Sequence, residues 1–357
     1  MRKRILTDEM IKKIIYLKER YKENISFRKI GMILQEDFNL KKPVHHYICS
    51  RAYKNYLNEK ENRRNKSNDL NPITHKDEER VFGNNHLIQS INIKMIEEDD
   101  LLLLLPKLPK IVKWIICGDL QIPYHSVPCI NELIRFVGEY EPHLLIFNGD
   151  ITDFYTLSKF SKSPSLKDKD TLEKELLIEA KIYSKINEIS PNTKIIKKVR
   201  GSNHELRVYK TIANKLPEIS DFITLERMLF TVCYDNDIPV DIYISKNIDD
   251  FMGDLSIKHE GFISKYGIFR NLERTMYSQA VNHSHRLGII TQKLKDNNKL
   301  LYSIECGCMC RDPLFYINNF KFVRGFAYGT YNTTKNYLLP NIISLEHVVN
   351  NEEESIF

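Results

Sequence analysis

From Lys110 onward the chain alternates apolar runs of strand length with helical stretches, and each run ends in polar residues. The runs are IVKWIICGDL (111–120), PHLLIFNGDI (142–151), TKIIKKVRGSN (193–203) and DLSIKHEGF (254–262). Between the first three lie two stretches of helical character, 128–140 and 170–188. Strands this apolar need cover on both faces, and a strand–helix–strand alternation supplies it by packing helices on a parallel sheet. The pattern predicts an α/β domain. In such domains the carboxyl ends of the strands carry the chemistry, so the polar run ends mark where to look for a site.

The length of 357 residues, with 42% hydrophobic and 28% charged, suits one large domain joined to a smaller one. The longest apolar run, Leu101 to Leu105, is far too short to cross a bilayer. The first residues do not combine a basic start, an apolar core and a small-residue cleavage site, so secretion is not expected. Seven cysteines, an odd number, with Cys306, Cys308 and Cys310 crowded together, do not make a disulfide framework. A reducing cytoplasm is the expected compartment, and these cysteines are expected to act as small buried hydrophobes.

Charge is unevenly spread. Residues 1–66 hold 18 Lys and Arg against 8 Asp and Glu, a net of +10 within a chain of +6 overall. This front end reads as three short helices. Thr7 can cap the first, with Met10, Ile14, Leu17 and Tyr21 on one face; Ser26 can cap the second, with Phe27, Ile30, Ile33, Leu34 and Phe38 inward. Pro43 suits the first turn of a third, in which Val44, Tyr47 and Ile48 face inward and Lys41, Lys42, His45, His46, Arg51 and Lys54 occupy the other faces. The layout resembles a helix-turn-helix, with residues 42–57 as the helix that would enter a major groove. A small helical bundle with a solvated basic surface fits the same residues. The polar stretch that follows, 58–72, reads as a linker within a connecting segment of 58–109. Residues 86–105 offer a strand and a short helix of unassigned domain.

The polar residues at the run ends form an ordered series: Asp119 and Gln121, Asp150 and Asp153, Asn203 and His204, His259, then His283 and His285. All are oxygen or imidazole donors, which suit hard or borderline divalent ions rather than thiolate-bound zinc. The set exceeds what one ion can use and matches two ions sharing a bridging carboxylate.

These pieces, GDLQ, GDITD, GSNHE, KHEG and NHSH, resemble in kind and order the motifs of the calcineurin-like metallophosphoesterase superfamily. The segment ECGCMCRDPLFYINNFKFVRGF (305–326) is similar to one in phage-type members. The resemblance spans most of 111–330 and leaves out 1–66. It implies a four-layer α/β/β/α sandwich over 110–357, with a small all-α helix-turn-helix-like domain over 1–57. It also implies two divalent ions, manganese foremost, with magnesium, iron and zinc as alternatives. By position, Asp119, Gln121 and His285 would hold the first ion, and Asn203, His259 and His283 the second, with Asp150 between them. Asp153 would orient its neighbours from outside the ligand set. His204 would serve as the catalytic proton donor, and Arg207 and His125 would hold phosphate oxygens. The chain departs from the family at three places. Gln121 stands where the family has His, and Ser202 and Asn282 stand where it has Gly. If the last two positions required positive φ, the ligand loops would be strained or reshaped.

The expected function is therefore two-metal hydrolysis of a phosphodiester, with nucleic acid, DNA foremost, as the substrate that the basic front end recognises. Two alternatives are a phosphatase or small-molecule phosphodiesterase tethered to DNA, and a non-catalytic DNA-binding regulator whose metal site has decayed.

Overall fold

Alternate residues of a single strand, Ile111–Cys117 (β2), supply two different cores. Val112, Trp114 and Ile116 face one apolar cluster, while Ile115 and Cys117 face another. A strand apolar on both faces has to lie between two layers, and the computed structural model shows what they are. It describes residues 10, 13–15, 18, 26–38, 49, 53, 90–96, 107–158, 172–220, 222–262, 264, 266–275, 277–294, 299–311 and 322–350. The chain divides into two compact units, Met1–Asn84 and Asn85–Phe357.

The second unit is built on two sheets. The larger has seven strands in the order β1 (Ile91–Ile96), β5 (Val240–Ser245), β4 (Lys194–Lys198), β3 (Leu144–Phe147), β2, β11 (Gly325–Asn332) and β12 (Tyr337–Ser344). Its first five strands are mutually parallel, and β11 and β12 close the far edge antiparallel. The smaller sheet runs β6 (Asp250–Met252), β7 (Leu255–Lys258), β8 (Ser278–Val281), β10 (Leu300–Cys306) and β9 (Leu287–Lys293). Within it β7, β8 and β10 are parallel.

Residues of both sheets, among them Trp114, Ile146, Ile196, Leu255, Ile257, Ile304 and Cys306, interdigitate in one cluster. On the other face of the large sheet, a second cluster joins Ile115, Phe147, Ile195 and Ile242 to the helices α2 (Val127–Tyr140), α3 (Leu172–Ile189) and α5 (Leu225–Asp235). The helix α6 (Gly267–Thr275) packs against β8, β9 and β10. Because the inner face of those strands is filled by the large sheet, α6 forms an outer layer, and the order is helices, sheet, sheet, helix. The stretches 128–140 and 170–188 are α2 and α3. The segment 86–105, from which a strand was expected without a domain, contributes β1, which pairs with β5 of the second unit. Ile91 and Ile96 are buried there and cannot be left in a solvated linker.

In the first unit, α1 (Phe27–Asp37) begins at Ser26, whose Oγ accepts from the Lys29 amide at 3.2 Å, a helix cap. Ile30 and Leu34 are fully buried with Met10, Ile14 and Cys49, flanked by Phe27, Ile33, Phe38 and Tyr53. This is the inward face the spacing predicts. The basic positions Lys41, Lys42, His45, His46, Arg51 and Lys54 lie outside the described residues, as do Thr7, Leu17, Tyr21, Val44, Tyr47 and Ile48.

The central strand β4 carries two lysines into the interior. Lys197 pairs with Glu179 of α3, and Lys198 Nζ lies 2.6 Å from Asp250 Oδ2; all four side chains are fully buried. Tyr183 donates to the same Glu179 carboxylate at 2.7 Å. A buried pair of this kind stabilises little relative to apolar residues, yet removing one partner strands the other charge. Glu179→Ala should therefore lower unfolding free energy by about 3–5 kcal/mol in urea titrations. A loss below about 1 kcal/mol would mean that Lys197 finds another partner or sheds its charge.

Candidate metal centre

Because β2, β3 and β4 are parallel neighbours, the loops after them leave the same end of the large sheet. The first two loops stay paired beyond the strands. Asn148 N donates to Cys117 O at 2.6 Å, Asp119 N to Gly149 O at 3.1 Å, Gln121 N to Asp150 O at 3.1 Å and Ile122 N to Ile151 O at 2.8 Å. The small sheet brings its parallel strands β7 and β8 to the same place, where Asn282 N donates to His259 O at 3.0 Å. The approach is close. At Gly149, whose φ is +89°, a Cβ would stand 2.7 Å from His259 Nδ1.

Five of the seven residues expected as ligands hold a left-handed backbone: Asp119 (φ 51°), Gln121 (54°), Asp150 (51°), His283 (66°) and His285 (54°). Each such residue with a Cβ costs on the order of 1–3 kcal/mol, and this conformation clusters at sites where side chains must be aimed. Ser202 and Asn282, where positive φ would have brought strain, do not have it; in the Ser202 loop Gly201 takes it, at 91°. The cause is plain. Gly201 absorbs the turn, which leaves Ser202 able to direct its hydroxyl at Asp150.

Asp150 is the hub. Its Oδ1 accepts from Ser202 Oγ at 2.6 Å and from the His204 amide at 3.2 Å. Its Oδ2 accepts from Gln121 Nε2 at 3.3 Å and lies 3.2 Å from His259 Nε2. Asp119 stands beside it. Oδ2 accepts from the His283 amide at 2.8 Å, and Oδ1 is 3.5 Å from His285 Nε2 and 3.9 Å from His259 Nε2. The ligand atoms of Asp150, His259 and His283 lie within 4.8 Å of one another.

Burial of two carboxylates sets the electrostatics. Burial, with the Asp150 charge added, pushes Asp119 up to about 7. Burial works against the charge of Asp150 as well, but His259 and His204 beside it hold its carboxyl well below the usual range. His259 is also buried, yet Asp150 and Asp119 together push it up to about 10. Burial moves His285 the other way, down to about 3.

Two buried oxygens of the expected ligands, Asp119 Oδ1 and Asn203 Oδ1, have no hydrogen-bond partner, and His259 Nε2 faces the Asp150 carboxylate at 3.2 Å. Folded proteins rarely leave such oxygens unsatisfied, and bound divalent cations would satisfy them. The donor set thus fits a hard or borderline divalent ion. As oriented, Gln121 presents its amide nitrogen to Asp150, and half a turn of the amide would present its oxygen instead.

His204 sits at the start of α4 (Glu205–Lys215), buried, with Nδ1 2.9 Å from Asp153 O. Donation from Nδ1 to that carbonyl leaves Nε2 as acceptor for Arg207 Nη2 at 3.2 Å, with Asp150 Oδ2 3.7 Å away. Arg207 also donates to Asp153, to the carbonyl at 2.7 Å and to Oδ1 at 3.1 Å. Asp153 therefore holds both His204 and Arg207. His125 pairs across from Cys310. Burial and the nearby Arg311 charge hold it at about 4, so it would meet a phosphate as a neutral donor.

Glu205, the last residue of GSNHE, was given no role by sequence reasoning. Its buried carboxylate accepts from Asp150 N at 3.0 Å and Ile151 N at 2.8 Å, and Ser202 Oγ lies against it. It braces the backbone that aims Asp150. Asn148 Nδ2 donates to Asn282 Oδ1 at 2.9 Å, and Asn282 Nδ2 to Gly307 O at 3.0 Å, so the side chain at 282 ties the two sheets' loops together. The motif spacing contained Glu205 and Asn282; only their bonds reveal the bracing.

No protein-family model matches the chain, and no curated protein does. Among solved structures, Vps29 of Chaetomium thermophilum is similar at 9% identity, covering 65% of this chain and 97% of its own, with a TM-score of 0.30. A second solved chain is similar at 11% identity over 65% of this chain and 98% of its own, with a TM-score of 0.26. Neither likeness is close enough to bear on the site. Among the described residues, no helix is long and apolar enough to cross a membrane.

A cation entering this cluster must displace the proton that Asp119 and Asp150 hold on His259. Manganese affinity should therefore rise with pH up to about 10, and more steeply below about 7, where Asp119 also carries a proton. Calorimetry in buffers of different ionisation enthalpy should show proton release on binding. An affinity independent of pH would contradict this electrostatic arrangement.

Proposed function

We propose that the chain is a divalent-metal phosphodiesterase acting on nucleic acid, DNA foremost, with the Asp119–Asp150–histidine cluster as its centre. The observation that carries this reading is the gathering of Asp119, Asp150, His259, His283 and His285, with Asp119 Oδ1 and Asn203 Oδ1 buried and without a hydrogen-bond partner, on residues that follow the motif order of calcineurin-like metallophosphoesterases. Bound ions would neutralise phosphate charge and activate water. By motif position Asp119, Gln121 and His285 would hold one ion and Asn203, His259 and His283 the other, with Asp150 shared; the grouping of Asp150, His259 and His283 supports this. His204 is held by Asp153 through Nδ1, with Nε2 toward Arg207 Nη2 and Asp150; once Nε2 takes up a proton in place of the Arg207 contact, it would deliver that proton to a leaving oxygen. Arg207, anchored on Asp153, keeps a partly exposed guanidinium beside it for a phosphate oxygen.

Nucleic acid is favoured by charge. Residues 1–66 carry a net of +10, while the rest of the chain sums to −4. A polyanion is attracted to the first and not to the second. One observation favours a second reading, a DNA-binding regulator with a decayed site: Gln121, a neutral amide, stands where the resembled family has an imidazole.

The test is the full-length protein with manganese on labelled single- and double-stranded DNA, beside bis-nitrophenyl phosphate. Cleavage of both is expected. Hydrolysis of the small ester alone would assign a small-molecule phosphodiesterase, and silence on both would favour the regulator. Deleting 1–66 should leave turnover of the small ester almost unchanged while weakening DNA binding and flattening its dependence on salt. An unchanged salt slope would remove the front end as the nucleic-acid grip.

A further inference from the structure

We propose that Cys308, Cys310 and His285 form a binding site for one thiophilic divalent ion of the zinc class, which would take His285 from the first ion of the carboxylate centre. The two sulfurs and one ring nitrogen are buried, and their ligand atoms lie within 4.8 Å of one another. Tetrahedral zinc, with Zn–S of about 2.3 Å and Zn–N of about 2.0–2.1 Å, needs nitrogen–sulfur edges of about 3.6 Å and sulfur–sulfur edges of about 3.8 Å. His285 Nδ1 stands 3.7 Å from Cys310 Sγ, already at the required edge. Closing the remaining contacts takes shifts of less than about 1 Å, within the reach of χ1 adjustments.

The backbone builds this cluster. Along an unbroken strand Cys306, Cys308 and Cys310 would line one face together. Instead β10 ends at Cys306, and Gly307 turns the chain at φ +74°. A Cβ on Gly307 would stand 2.9 Å from Gly325 O, so only glycine fits there. Cys306 stays in the core between the sheets, whereas Cys308 and Cys310 pack with Phe322 and Tyr124. Three segments are then laced together. Cys308 N donates to Val323 O at 3.2 Å, Gly325 N to Cys308 O at 3.0 Å and Val323 N to His285 O at 2.9 Å. The His285 ring rests on Phe322 at a centroid distance of 4.3 Å.

The donors differ in kind from those of the carboxylate centre. Thiolates select zinc-class ions, whereas carboxylate and amide oxygens suit manganese and magnesium. On binding, each thiol would release its proton to solvent. With an ion on Nδ1, His285 would keep its proton on Nε2 and face Asp119 Oδ1, 3.5 Å away, the arrangement by which carboxylates orient metal-bound histidines. The site stands on its own geometry and does not require the carboxylate centre to be catalytic.

Cobalt(II) is the probe, because thiolate ligation gives it a charge-transfer band in the near ultraviolet that oxygen and nitrogen ligands do not. The full-length protein, reduced and stripped with chelator, should develop that band up to one equivalent, and zinc should abolish it. Asp150→Asn should keep the band, and the double variant Cys308→Ser with Cys310→Ser should lose it. Cys310→Ser alone, nearly isosteric, should lose a large part of its intensity. Absence of the band in the unaltered protein would overturn the proposal. So would its survival in the double variant, which would trace it to other cysteines.

Discussion

A carboxylate buried from solvent must have its charge answered by neighbours, and Asp150 is such a group. A hydroxyl, a backbone amide, a side-chain amide and an imidazole all meet its two oxygens, through Ser202, His204, Gln121 and His259. Each partner comes from a different loop or a different turn of one, so satisfying this charge draws the ends of β2, β3, β4 and β7 into one place. The Glu205 carboxylate beneath it grips the Asp150 and Ile151 amides and keeps that loop from relaxing out of its left-handed turn. A second carboxylate, Asp119, sits alongside, and one protonated histidine is a small counter-charge for two acids. That deficit is what a cation would correct.

The fold supports this arrangement through its layering. Strands buried on both faces place no side chain at solvent except at their ends, so the polar residues of the parallel strands collect at one edge. The buried pairs Lys197–Glu179 and Lys198–Asp250 belong to the same central strand that delivers Asn203 and His204. They tie β4 to α3 on one side and to the start of β6 on the other.

Much of this was legible in the sequence, because the governing signals are local. Apolar runs that stop at GD or GSN mark strands and their ends, and Ser26 before Phe27 marks a helix start. What was not legible depends on bonds between distant segments. Glu205 gives no sign in sequence that it will accept from amides some fifty residues upstream. Whether Ser202 and Asn282, where the resembled family has glycine, would need positive φ could not be read from sequence; the backbone takes it at Gly201 and at five of the residues expected as ligands. The cysteines 306, 308 and 310 are buried as expected, but the turn at Gly307 that sets 308 and 310 beside His285 has no sign in the sequence. A strand was legible within 86–105, but the domain it joins was not, and its pairing with β5 assigns it.

The central claim is that Asp150 is shared by two ions, and metal titration tests it most directly. Calorimetry of the chelator-stripped full-length protein should give two manganese ions per chain. Asp150→Asn keeps the size of the side chain and removes the shared charge, so both ions should bind more weakly. The loss should exceed that of Gln121→Ala, which removes one terminal ligand. An Asp150→Asn variant that still binds two manganese ions with unaltered affinity, or an unaltered protein that binds none, would contradict the account.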